Sequence, residues 1–341
     1  MGLNGAFGDV VSVKRWYHVG EEEAPHLTMA ESSSMTRGAG MLHRGGPLVD
    51  ISRRLPFSQL KTAVIFPGSL TKTTADTLVR AYEDSSILCC TTSSGYQVGL
   101  LFGTGQPSTE QPFLYAPGTW YPVYCYGNGM CLATSCYEFT QFRQLGFSVL
   151  IPEYPGYGMS SGQASESGCC EVADAAYLYL IETLHVHPAQ IVVAGWSLGA
   201  AVATDLAARK RVAGLIVLSA FTSLPEQARA MLSWVPRSVV RLFIKERFDN
   251  LSKIRQVTCP IFIGHGTQDE LVPFAMAERL AQAARQRGPV TFLPIARCGH
   301  NELFEVGGNT LWTAIRHFTT NLRQDGKPAD DPSVTDRRDS T

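Results

Sequence analysis

IVVAGWSLGAAVA, residues 191–203, sets the apolar run Ile191-Val192-Val193-Ala194 directly before an alanine-rich stretch, with Gly195-Trp196-Ser197-Leu198-Gly199 at the join. The first part reads as a buried strand and the last as the opening of a helix. A strand-to-helix turn that tight needs small residues around its centre, and glycines at 195 and 199 would let it lift Ser197 off the end of the sheet. Serine and glycine also occupy ordinary junctions for conformational reasons alone. Whether Ser197 is a nucleophile therefore depends on what the rest of the chain supplies.

Outward from this join, short apolar runs alternate with helix-length amphipathic segments. SILCCTT, YQVGLLFG, YPVYCY, FSVLIPEY, IVVAG, GLIVLSA, PIFIGHG and VTFLPI read as eight strands. Helices are expected over Met130 to Leu145, Ser167 to Leu184, Leu198 to Ala208, Phe274 to Arg287 and Glu302 to Leu322. Such alternation implies right-handed crossovers and an α/β fold: a mostly parallel eight-stranded sheet with helices on both faces. The first two strands, joined by a short turn around Ser93-Ser94-Gly95, suit an antiparallel hairpin at the edge. Ligands in such sheets bind beyond the carboxyl ends of the strands.

Residues 1–60 mix charges, a serine cluster and scattered glycines, and read as a variable arm; 61–323 form the folded body; the polar, proline-containing 324–341 reads as a disordered tail. Between GLIVLSA and PIFIGHG lies an insert, about residues 221–257, too long for an ordinary crossover and expected to be a short helical cap. Within it Trp234 and Phe243 are candidate walls for an apolar substrate.

The loops after the later strands supply partners for Ser197. Asp269 follows PIFIGHG, and His300 follows VTFLPI, so the chain order is Ser, Asp, His. In those roles His300 would take the serine proton and Asp269 would fix the imidazole tautomer. Glu270 is the rival acid, and Asp269 could instead cap the following helix. His265, at the end of its strand, reads as a buried structural histidine. The oxyanion of an acyl-transfer intermediate would be met by the backbone N–H of Leu198 and that of Asn128, in the Tyr126-Gly127-Asn128-Gly129 turn.

The composition removes other classes. Twenty-nine Lys and Arg against 30 Asp and Glu leave a net charge of −1, which gives no field for nucleic acid. The apolar runs are too short to span a membrane, and the start lacks the pattern of a secretory signal. A cytoplasmic setting with at most peripheral membrane contact is expected. Nine cysteines, with no Cys-x-x-Cys pair, read as reduced thiols and not as a zinc site. Ala6 stands where an N-myristoylation signal has serine or threonine. The pairs Cys89-Cys90 and Cys169-Cys170 read as strand and helix residues before S-acylation sites. No metal or organic cofactor is called for.

The blocks YGNGMCL, IPEYPGYGMSSG, GWSLGAAVATDLA, GLIVLSAFTSL, CPIFIGHGTQDELVPF and GHNELF, spread over about residues 85–322, resemble the α/β-hydrolase serine hydrolases. More narrowly, they are similar to the hydrolase-domain proteins that remove palmitate from cysteine thioesters. The resemblance implies an acyl ester or thioester substrate, in the narrow case carried by a lipidated protein, and a Glu153–Gly158 loop lining the site, with Tyr154, Tyr157 and Trp196 touching substrate. Those depalmitoylating relatives have a cysteine-rich amino terminus, whereas residues 1–60 here hold no cysteine. Wider relatives include carboxylesterases and serine peptidases, which would use the same three residues.

Overall fold

The computed structural model describes residues 13–18, 65–73, 82, 85–106, 120–231 and 244–325, with 13–18 and 323–325 by backbone alone. In chain order the strands are β1 (Val13–His18), β2 (Ser85–Thr91), β3 (Gln97–Gly103), β4 (Tyr121–Cys125), β5 (Val149–Pro152), β6 (Ile191–Trp196), β7 (Gly214–Leu218), β8 (Ile261–Gly266) and β9 (Val290–Ile295). The main helices are α1 (Cys136–Gln144), α2 (Glu166–Leu178), α3 (Leu198–Arg209), α4 (Leu224–Met231), α5 (Phe274–Ala284) and α6 (Leu303–Asp325).

All strands join one sheet in the order β1-β2-β3-β5-β4-β6-β7-β8-β9. From β5 onward neighbours run parallel, while β1, β2 and β3 form an antiparallel margin, β3 pairing antiparallel with β5. The eight strands expected from the apolar runs are present as β2 to β9. β1 adds a ninth from within the arm, pairing Val13 with Cys90 and His18 with Ser86.

The central strands are buried along their whole length, as strands covered on both faces must be: β5, β7 and β8 have no exposed residue. One face carries α2 and α3 against each other and α5 against β8. On the other, α1 packs on α6 through Tyr137 with Phe304, and Phe142 with Trp312 at 5.2 Å between centroids. Two expected helices are locally irregular. The second ends in a π turn over Tyr179–Thr183, and α6 bends at Gly308 (φ 38°, ψ −130°). All nine cysteines are free thiols, six of them buried. Among the described residues no helix is long and apolar enough to cross a membrane.

The ends of the 221–257 insert are stitched together where they leave and rejoin the body. The Leu224 N–H donates to the Arg247 carbonyl, the Leu251 N–H to that of Thr222, and Asn250 Nδ2 to that of Phe221 at 2.8 Å. Glu166, opening α2, holds the returning segment by accepting from the N–H groups of Arg247 and Phe248 and from Lys253 Nζ.

Candidate active site

Ser197 sits between β6 and α3 with φ 55° and ψ −115°, a conformation that side chains other than glycine rarely adopt. Its neighbours make the turn possible. A Cβ on Gly199 would overlap the Cys125 carbonyl and lie 2.5 Å from the Tyr126 oxygen, and one on Gly195 would lie 2.7 Å from the Ala200 nitrogen. These obstacles are backbone and cannot step aside. The two glycines let α3 start directly under Ser197 and against the end of β4.

The serine does not stand alone. Its Oγ lies 2.9 Å from His300 Nε2, and His300 Nδ1 lies 2.7 Å from Asp269 Oδ2. All three residues are buried. Asp269 is fixed at its other oxygen, Oδ1, by the N–H groups of Leu271 (3.0 Å) and Val272 (2.7 Å). Burial pushes its carboxyl up, but hydrogen bonds from His265 and His300 and from the Val272 backbone outweigh burial and hold it well below the ordinary carboxylate range. Among the described residues Glu270 accepts from the backbone N–H of His300, at 3.3 Å, and the imidazole's partner is Asp269 and not its rival. Arg297, with φ 54°, shapes the turn that presents His300.

The candidate oxyanion site forms where β4 and β6 end side by side, Cys125 opposite Gly195. Leu198 is the first residue of α3, so its N–H has no helical carbonyl to serve. Across from it the 126–129 turn is held from every side. Asn128 Nδ2 donates to the Ile65 carbonyl at 2.6 Å, and its Oδ1 accepts from the Tyr157 hydroxyl at 2.8 Å. The Tyr154 hydroxyl donates to the Tyr126 carbonyl, and the Tyr126 hydroxyl accepts from the Tyr154 N–H. None of these bonds uses the Asn128 N–H.

This corrects the expectation for Tyr154 and Tyr157. Both are fully buried. They lie beneath the turn and brace it, because their hydroxyls are needed by the turn's polar groups. Trp196 is placed beside the site: its ring stacks on the His300 imidazole at 5.4 Å and meets Phe304 edge-on. Gly127 makes room for that ring, since a Cβ there would lie 2.6 Å from Trp196 Cζ3. Trp234 and Phe243 lie outside the described residues.

Glu153, expected only as part of a loop lining the site, has a bracing role that the sequence reading did not assign. Fully buried, it accepts from the N–H groups of Leu132 and Met159, both at 3.0 Å, and ties the segment after the turn to the loop after β5. Burial pushes its carboxyl up to about 7 against the pull of those N–H groups. The signal was Gly158, whose φ of 47° and missing side chain leave room for the carboxylate.

The arrangement matches an identifiable class. Residues 113–250 match the profile of the Alpha/beta hydrolase family. An uncharacterized protein of Mycobacterium tuberculosis is 36% identical over 176 residues, which cover 52% of this chain and 61% of that relative's length. Alpha/beta hydrolase domain-containing protein 17B of Xenopus tropicalis is 28% identical over 249 residues, covering 72% of this chain and 80% of its own. Among solved structures, an alpha-beta hydrolase from Vibrio vulnificus superposes with a TM-score of 0.62 at 17% identity, covering 76% of this chain and 93% of the other. The Pyrococcus furiosus esterase Pf2001 does so with 0.56 at 16% identity, covering 73% and 93%. At those identities the structures attest to the fold. The profile match, the relatives and the superpositions together show that this chain has the alpha/beta-hydrolase fold.

Proposed function

We propose that the chain is a serine hydrolase that cleaves an acyl ester or thioester through an acyl-enzyme on Ser197. The observation that carries this is the unbroken Ser197–His300–Asp269 hydrogen-bond chain at the end of a strained turn. His300 Nε2 takes the proton from Ser197 Oγ as that oxygen attacks the acyl carbon. The new oxyanion is met by the N–H groups of Leu198 and Asn128. The intermediate then collapses, the bond to the leaving alcohol or thiol breaks, and His300 returns the proton to it. Water, deprotonated by the same histidine, frees the acid and restores the Ser197 hydroxyl. Asp269 stays ionised throughout, as its depressed pKa favours. Within this class, the resemblance of the sequence blocks to depalmitoylating hydrolases favours a long-chain thioester on a lipidated protein.

The test is fluorophosphonate labelling of the protein beside Ser197→Ala, followed by turnover of a short p-nitrophenyl ester and a palmitoyl-thioester peptide. Labelling confined to the wild type, with preference for the thioester, is the expected result. Preference for the short ester would replace the thioesterase reading by a carboxylesterase, and absence of labelling would remove the nucleophile.

A further inference from the structure

Asp269 Oδ2 faces two imidazoles. Besides His300 Nδ1 at 2.7 Å, His265 Nε2 lies 3.2 Å away, four residues back along the chain. The same Nε2 lies 2.9 Å from the Val272 carbonyl oxygen. A ring nitrogen between two acceptors must carry a hydrogen, so the Nε2–H of His265 bonds the Val272 carbonyl and lies against Asp269 Oδ2 at 3.2 Å. His265 is fully buried, its ring 5.9 Å from that of Phe274, and its Nδ1 has no hydrogen-bond partner among the described residues. A hydrogen on Nδ1 would be a buried donor without an acceptor, so the neutral Nε2–H tautomer is the one this site stabilises.

We infer that His265 is a positioning residue of the proposed hydrolase, a second donor to Asp269 that sets how strongly the carboxylate draws a proton onto His300. The inference rests on the proposed function, because the quantity it sets is the basicity of the His300 base. Asp269 stays in place without His265, since Leu271 and Val272 grip its other oxygen. What His265 changes is the share of Oδ2 left for His300. Each N–H that a carboxylate accepts stabilises its negative charge and weakens the next bond it can make. With His265 donating, the imidazolium of His300 is held less tightly, and the base keeps its free form to lower pH.

Other groups face the base from the elements packed around it. Glu270 faces the His300 N–H from the loop after β8, and Glu302 faces the Gly299 N–H from the loop that leads into α6. The Cys298 thiol donates to the Gly299 carbonyl, and the Trp196 ring covers the imidazole from the end of β6.

The experiment is the pH dependence of kcat/KM on a short p-nitrophenyl ester for the wild type, His265→Phe and His265→Gln. Phenylalanine fills the space without a donor, whereas the glutamine amide places an N–H near the position of Nε2. The ascending limb should move to higher pH by about half a unit or more in His265→Phe and return toward the wild-type position in His265→Gln. An unmoved limb in a folded, fluorophosphonate-reactive His265→Phe overturns the inference, and so does an equal shift in both variants.

Nitrogen-15 NMR of the histidine-labelled wild type gives a reading that needs no variant. The neutral ring of His265 should show a hydrogen on Nε2 and a bare Nδ1. A hydrogen on Nδ1 overturns the assignment even where His265→Phe does not fold. Failure of the wild type to label would instead count against the proposed function, and the NMR result would still decide the tautomer.

Discussion

The strain at Ser197 can be measured by removing it. Ser197→Ala and Ser197→Gly both abolish the Oγ contact with His300, so a comparison of the two cancels that loss. They differ in the Cβ, which alanine keeps at φ 55°, ψ −115° and glycine does not. A side chain held in so sparsely populated a region costs about 1–3 kcal/mol. Glycine gives back roughly 0.5–1 kcal/mol through its greater freedom in the unfolded chain. At mid-range the balance makes Ser197→Gly more stable than Ser197→Ala by about 1 kcal/mol, and at most about 2.5 kcal/mol, the mid-range value being about 2–5 °C in Tm for a body of this size. Differential scanning calorimetry of the two proteins, both inactive and unlabelled by fluorophosphonate, is the assay. Equal stability, or a more stable alanine variant, would refute the reasoning that the elbow holds its serine against a conformational cost.

Asp269→Asn should lower kcat by about four orders of magnitude, because Leu271 and Val272 orient the amide so that its NH2 meets the donors of His300 and His265; kcat on the short ester measures it. Glu270→Gln, measured on the same ester, should change kcat by less than about tenfold, since Glu270 meets the backbone of His300 and not its imidazole among the described residues. Glu138 is buried, one of its oxygens lacks a partner among the described residues, and burial pushes its carboxyl up to about 7. A carboxyl raised in the folded state stabilises it fully below the unfolded pKa, and that contribution is lost as pH rises toward about 7. Glu138→Gln, neutral throughout, should therefore gain on the wild type as pH rises from about 4.5 to 7, by roughly 1–3 kcal/mol at the top of that window. Urea unfolding at several pH values would show the slope, and a constant difference would refute it.

Much of the frame was legible in the residues because buried parallel strands and amphipathic helices carry strong apolar patterns. IVVAG, GLIVLSA and PIFIGHG became strands whose ends carry Ser197, Ser219 and the approach to Asp269. The placing of Ser197, Asp269 and His300 in loops that meet was legible for the same reason: once the strands are placed, their following loops are too. Strand β1 was not. An edge strand is specified largely by backbone hydrogen bonds, and VKRWYH has no apolar alternation to announce them. Nor was the work of Tyr154 and Tyr157, since aromatic rings in a glycine-rich loop look the same in sequence whether they wall a site or prop a turn. The second donor to Asp269 was hidden because HGTQD spaces His265 and Asp269 four apart, and only the fold shows that the chain doubles back to bring them together.

The stitched base of the 221–257 excursion has a consequence for how this scaffold can be varied. Its two feet meet through Leu224 with Arg247, Thr222 with Leu251 and Phe221 with Asn250, and Glu166 moors the returning foot to the body. Chain between the feet is then a closed loop on a fixed mount, and doubling its length costs only about 0.6 kcal/mol in closure entropy. Such a segment is interchangeable: another of different length and lining could be transplanted onto the same mount without moving Ser197, Asp269 or His300. The excursion and the Ser197, Asp269 and His300 geometry thus occupy separable parts of the chain, free to diverge at different rates.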